Sequence, residues 1–174
     1  MRSDISNHDK IIAQMSAKLI AKRKKVFRNS FDHISPGSRM KEIRVLNDVI
    51  FIDDAKAENV NACYFALQSI RKPIVWIAGG DDSQTNYWDL MSLVRQKVEA
   101  IIMIGEYNEK LFQTFSPVIT KLFQANNMTE AVEIAYKISE AHTSVLLSPA
   151  AKADGKFADD EDRSKQFVQA VMKL

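Results

Sequence analysis

The sequence predicts an α/β fold: an open, mainly parallel, doubly wound (Rossmann-like) sheet with a short β-hairpin, preceded by an N-terminal helical segment. Three observations predict it. Short runs that are apolar at every position, such as Ile101-Ile102-Met103-Ile104, need cover on both faces of a sheet, as parallel strands do. Those runs alternate with stretches of helical period. Two strand-like runs flank Asn47-Asp48, a pair suited to a tight hairpin turn.

In chain order, Ile11, Ile12, Met15, Leu19, Ile20, Val26, Phe27 and Phe31 recur at three- and four-residue steps and predict a helix over 9–32. Its Lys18, Lys22, Arg23, Lys24, Lys25 and Arg28 read as a solvated face, because nucleic-acid recognition calls for more charge and interleaved aromatics. Ser35-Pro36-Gly37-Ser38 ends that helix. The chain therefore divides into a helical segment, 1–34, and a Rossmann-like domain, 35–174. The hairpin pairs residues 42–46 with 49–52. Further strands are expected over 74–78, 100–104, 118–122 and 144–147. Helices are expected over about 59–69, 88–97, 109–114, 128–141 and 161–172.

Length and composition exclude several classes. The 174 residues suffice for one domain with a core, and 46% hydrophobic with 26% charged is ordinary for a globular protein. A net charge of +2 carries no strong field toward nucleic acid or membrane. No apolar run approaches the roughly 20 residues of a membrane span. The lone Cys63 has no internal disulfide partner and fits a reducing compartment, so a cytoplasmic location is expected.

Ligands of such sheets bind in loops at the C-terminal ends of strands, and three loops stand out. Asp53-Asp54-Ala55-Lys56-Ala57-Glu58-Asn59 enters a helix, a place suited to phosphates and ribose hydroxyls or, equally, a capped helix start with a surface lysine. Ala78-Gly79-Gly80-Asp81-Asp82 has paired glycines that admit close backbone approach. Leu146-Leu147-Ser148-Pro149-Ala150 runs from a strand into a loop of small residues.

Taken in order and spacing, these loops resemble the C-terminal domain of the D-glutamate-adding Mur ligases. That family has N-D-S-K-A-T-N at the first loop, G-G-x-D-K-G at the second and S-P-A-C-A-S-F-D at the third. Ser38-Arg39 stands where the family has His-Arg, and Ser148 through Phe167 aligns without a gap, including Phe157 and Arg163. The resemblance covers nearly the whole chain and is weakest before residue 35. It implies that Arg39 and Lys56 lie toward ATP phosphates and Asp54 toward the ribose, with Asn59 matched as well. It also implies a loss. The family's D-glutamate positions carry Glu58 for threonine, Ser83 for lysine, Ala153 and Asp154 for serine and an apolar residue, and Asp160 for an aromatic. Removing a cation and adding three carboxylates opposes a dicarboxylate, since one like-charge contact at 4 Å costs up to about 4 kcal/mol.

No G-K-[ST] phosphate loop occurs in the chain, and the family's magnesium ligands and UDP-sugar domain lie outside it. Two readings follow. The chain is the C-terminal part of a Mur-type ligase, not catalytic by itself, using ATP and Mg only within an intact enzyme; or it is a stand-alone degenerate relative that binds a ligand or protein. The five altered positions favour the second, and a continuous upstream reading frame with a phosphate loop would favour the first. No cofactor or resident metal is expected for the chain alone, and its ATP affinity should be no better than roughly millimolar. Its partners are the missing ligase domains or a second copy through the N-terminal helix, with no membrane and no nucleic acid. If the family's geometry holds, Glu58, Asp81, Asp82, Asp154 and Asp160 line one acidic pocket suited to a hard cation or an amine; the simpler expectation is carboxylates pointing into solvent.

Overall fold

A computed structural model describes residues 39–71, 73–105 and 108–174. The helix expected over 9–32, with its basic face, lies outside the described residues. Arg39–Leu174 form one unit built on a six-stranded sheet in the order β1-β2-β6-β3-β4-β5. The strands are β1 (Lys41–Leu46), β2 (Val49–Asp53), β3 (Ile74–Ala78), β4 (Val98–Met103), β5 (Lys121–Gln124) and β6 (Ser144–Leu147). Only β1 is antiparallel to its neighbour. It turns into β2 through Asn47 and Asp48, whose φ values of 49° and 62° are those of a two-residue hairpin loop.

The helices are α1 (Val60–Ser69), α2 (Met91–Lys97), α3 (Glu109–Phe115), α4 (Met128–Ile138) and α5 (Asp160–Lys173), with a 3₁₀ turn at Tyr87–Leu90 ahead of α2. Strand periodicity divides the core in two. In β3, Val75 and Ile77 face α4 and α5, whereas Ile74, Trp76 and Ala78 face α1, α2 and α3. Trp76 is fully buried and meets Phe115 edge-on, with ring centroids 5.7 Å apart.

One expected strand is displaced. A strand is expected over Val118–Leu122, but β5 begins at Lys121. The amides of Val118 and Ile119 both bond the Phe115 carbonyl, so the chain finishes a helical turn there, and Ile119 is buried on the α3 side. Pro117 sits inside that turn. Apolar content alone does not separate a buried turn from a buried strand. Similarly, α4 stops at Ile138 rather than 141, because Ser139 is extended at ψ 135° while its amide closes on Ala135 and Tyr136.

The connections define where a site can form. From β3 the chain moves outward through α2, β4, α3 and β5. It then returns through α4, on the other face, to insert β6 between β2 and β3. The segments leaving β3 and β6 thus run to opposite faces and open a crevice between these neighbouring strands, the expected ligand position in such sheets. Among the described residues no helix is long and apolar enough to cross a membrane.

Candidate functional site

The three loops singled out in the sequence meet at this crevice, held by backbone bonds. Asp54 N–H bonds the Leu147 carbonyl at 2.8 Å and Ala150 N–H bonds Ala57 at 2.9 Å, joining the β2 and β6 loops. Gly79 N–H bonds Pro149 and Asp81 N–H bonds Lys152, each at 3.0 Å, joining the β3 and β6 loops. Ser148 is the hub. Its hydroxyl donates to Asp54 Oδ2 at 3.1 Å, and its carbonyl accepts from Trp76 Nε1 at 2.7 Å and from Cys63 Sγ at 3.6 Å.

Asp54 is an anchored carboxylate. Arg39 Nε donates to Oδ1 and Nη2 to Oδ2, both at 2.8 Å, and Nη2 also reaches the Ala62 carbonyl at 3.1 Å. Burial pushes the Asp54 pKa up, while the Arg39 hydrogen bond and charge pull against it. Arg39 is partly buried by this fork. Lys56, next along the loop, is exposed. Asn59 caps α1 through its side-chain oxygen, which accepts from Ala62 N–H at 2.9 Å.

Below these contacts an open cleft of about 460 Å³ lies between the β2 and β3 loops. Glu58, Asn59 and Asn61 form one wall, Asp81 and Ser83 through Asn86 the other, and Lys152 and Ala150 the back, with Asp89 at the edge. Asp81 accepts from Ser83 N–H at 3.1 Å, and the Ser83 hydroxyl and amide hold its pKa below the usual range. Two cations absent from the sequence reading appear here. Lys110, in the first turn of α3, donates its ammonium to the Ser83 carbonyl, and both Lys110 and Lys152 lie close enough to Asp81 to lower its pKa. Lys152 carried one signal, a cation inside a recognised loop; Lys110 carried none, since only the fold brings α3 to that loop.

The five carboxylates expected in one acidic pocket are divided. Glu58 and Asp81 line the cleft, but Asp82 is buried against the backbone amides of Lys110 and Leu111 at the start of α3, and burial raises its pKa. Asp154 and Asp160 act on the buried Arg163 guanidinium instead, and the Asp154 carboxylate also accepts from Lys156 N–H at 3.2 Å. The reason is local: Asp160 belongs to the first turn of α5, which Asp159 caps by accepting from the Asp162 N–H. Among the described residues no group of three or more His, Cys, Asp or Glu is placed to hold a metal ion. Ser83 is exposed in the cleft wall and Ala153 is half-buried outside it.

The paired glycines also differ from their expected use. A Cβ on Gly79 would lie 2.2 Å from the Ile104 carbonyl, and one on Gly80 2.2 Å from the Lys152 carbonyl. The close approach they allow is to neighbouring protein backbone.

Cys63 is wholly buried behind Ser148, and burial pushes its pKa up to about 12. A thiol this buried and protonated should not react. We expect no alkylation of the folded protein by iodoacetamide at pH 8 and stoichiometric alkylation in denaturant, read by intact mass. Rapid labelling of the folded protein would mean that the Ser148 hub opens readily.

Comparison with known proteins agrees with this architecture. The family described as "Mur ligase, glutamate ligase domain" matches residues 38–151. The UDP-N-acetylmuramoylalanine–D-glutamate ligase of Christiangramia forsetii is 39% identical over 163 residues, covering 93% of this chain but 37% of the relative. That of Chloroherpeton thalassium is 42% identical over 136 residues, covering 78% of this chain and 29% of the relative. The chain thus spans less than two fifths of the length of these relatives. The crystal structure of a UDP-N-acetylmuramate-alanine ligase from Thermotoga maritima shares the fold, with a TM-score of 0.51 at 15% identity, over 78% of this chain and 30% of that one.

Proposed function

Because the chain belongs to the Mur ligase family, as its C-terminal glutamate ligase domain, we propose that it forms the C-terminal lobe of a D-glutamate-adding ligase of peptidoglycan synthesis and does not catalyse by itself. The observation that carries this is the meeting of the three loops in one cleft at the β6–β3 crevice. In this reading Lys56 faces nucleotide phosphate, while Arg39 and Asp54 fix the loop that presents it. Asn59 holds the start of α1 beside them. ATP and Mg belong to the assembled ligase, and the described residues of this chain do not make a complete site for them. No phosphate loop occurs in the 174 residues, and both Asp54 oxygens already have donors. The work would take place in the cytoplasm. The partner is the remainder of a ligase, with a second copy of this chain as the other candidate; light scattering distinguishes them.

The altered positions Glu58 and Ser83 bear on D-glutamate. Both line the cleft, and Glu58 adds a carboxylate facing the side where Lys152 and Lys110 supply positive charge. A hybrid tests this: the corresponding C-terminal part of the C. forsetii ligase is replaced by this chain, and ATP-dependent addition of D-glutamate to UDP-N-acetylmuramoylalanine is followed by phosphate release. We expect the chain alone to release none. The hybrid should gain on the order of tenfold or more in kcat/KM when Glu58→Thr and Ser83→Lys are introduced. Turnover by the isolated chain would overturn the reading, as would a double substitution that leaves the hybrid unchanged.

A further inference from the structure

Arg163 is the only buried cation among the described residues, with no exposed surface. It rises from the first turn of α5, behind the cleft. Its Nη2 donates to the Ala55 carbonyl at 2.8 Å and its Nη1 to the Ala151 carbonyl at 3.3 Å, so one guanidinium spans the β2 and β6 loops. Nη2 also lies 3.9 Å from Glu58 Oε1, and Glu58 lines the cleft with its side chain 40% exposed. Nε has no hydrogen-bond partner.

This is a costly way to fill space. Taking a guanidinium out of water is costly, and here no bidentate carboxylate offsets it. Burial lowers the Arg163 pKa against the upward pull of Glu58, Asp160, Asp154 and Asp53, and an arginine stays charged regardless. A neutral side chain of similar volume would pack as well without that cost. What methionine cannot do is donate to two carbonyls on different loops and attract a carboxylate.

We propose that Arg163 is a positioning residue of the cleft: from behind the wall it fixes the spacing of the β2 and β6 loops and restrains the Glu58 carboxylate that faces a ligand. The inference rests on the ligase reading only for what that ligand is. The Arg163 contacts are tested without nucleotide or D-glutamate, so failure here and failure of that reading are separate results.

The test is amide hydrogen exchange on the full chain by NMR. The reporters are Ala150 N–H, which bonds Ala57, and Asp81 N–H, which bonds Lys152; Trp76 and Ile101 in the central strands are controls. Arg163→Met should speed exchange at Ala150 about tenfold, as expected for losing one or two hydrogen bonds, with a smaller rise at Asp81 and less than a twofold change at the controls. Arg163→Lys should restore part of the protection at Ala150. Glu58→Gln alone should leave Ala150 unchanged but shift the Arg163 side-chain resonances. Two results overturn the proposal: Arg163→Met with unchanged Ala150, or exchange raised equally at reporters and controls. Should Arg163→Met fail to fold, Arg163→Lys decides. Intermediate protection at Ala150 supports the proposal, and wild-type protection overturns it, because a single ammonium does not replace the two-pronged bridge.

Discussion

Arg39→Met should destabilise the domain by about 3–5 kcal/mol at neutral pH, and acid should return part of that loss. Asp54 has no exposed side-chain surface, and Arg39 supplies two of its hydrogen bonds, beside those from the Ser148 hydroxyl and the Met40 backbone amide. Without Arg39 the carboxylate stays buried with only the Ser148 hydroxyl and the Met40 backbone amide, and no opposite charge. In the native chain burial already raises the Asp54 pKa above 3.8, and Arg39 limits the rise. Removing Arg39 raises the folded-state pKa further. Between 3.8 and that raised value the folded form binds more protons than the unfolded form, so stability falls as pH rises through this window. The stabilising protonation is complete below 3.8 and lost above the folded pKa. Urea midpoints at pH 4.5 and 7 should therefore show a smaller deficit for Arg39→Met, relative to the native chain, at the lower pH. A deficit that grows on acidification would sink the argument. Asp54→Asn provides contrast. It removes the titrating group and leaves an arginine that can hydrate at its exposed edge, so its smaller loss, roughly 1–3 kcal/mol, should not grow between pH 4.5 and 7.

The sequence made the sheet legible because its central strands carry unbroken apolar runs, Ile74–Ala78 and Ala100–Met103, and its hairpin carries Asn47-Asp48. It misplaced β5 because Val118 and Ile119 are as apolar as a strand but complete a helical turn on Phe115. It ran the 3₁₀ turn at Tyr87–Leu90 into the helix expected over 88–97, because the tighter turn that packs Tyr87 and Leu90 in the core beside Phe115 has no period of its own to separate it from α2. At the site, the three loops were readable as loops, and their meeting followed from the switch in strand order. What the loops do to one another was not readable. Asp82 looks like Asp81 in sequence, yet one is buried at the start of α3 and the other stands in the cleft wall. Lys110 lies 27 residues from Ser83 and reaches it only through packing. The sequence identifies residues that carry charge; the loop-to-loop contacts decide which of those charges face a ligand.

Gly80→Ala should disrupt the same contacts from the other side. Gly80 has φ +145°, which an L side chain rarely adopts, and an added Cβ would stand 2.2 Å from the Lys152 carbonyl. That carbonyl cannot simply turn aside, because it accepts the Asp81 amide at 3.0 Å in the bridge between the β3 and β6 loops. The substitution must therefore both strain the backbone and separate two loops, together worth about 2–4 kcal/mol. Its consequences should be local to the cleft, since Asp81 stands in its wall and Lys152 at its back. Gly155→Ala is the matched control. It lies in the same β6 loop, but its Cβ would meet nothing within 4 Å, and its backbone is not in the glycine-favouring region. Alanine there should be neutral or stabilising by up to about 1 kcal/mol, through the unfolded chain. Thermal melts of the two variants, with amide shifts of Asp81 and Lys152 followed in parallel, separate the cases. Equal effects at positions 80 and 155 would mean that the glycine-mediated approach of the two loops is not what holds the cleft together.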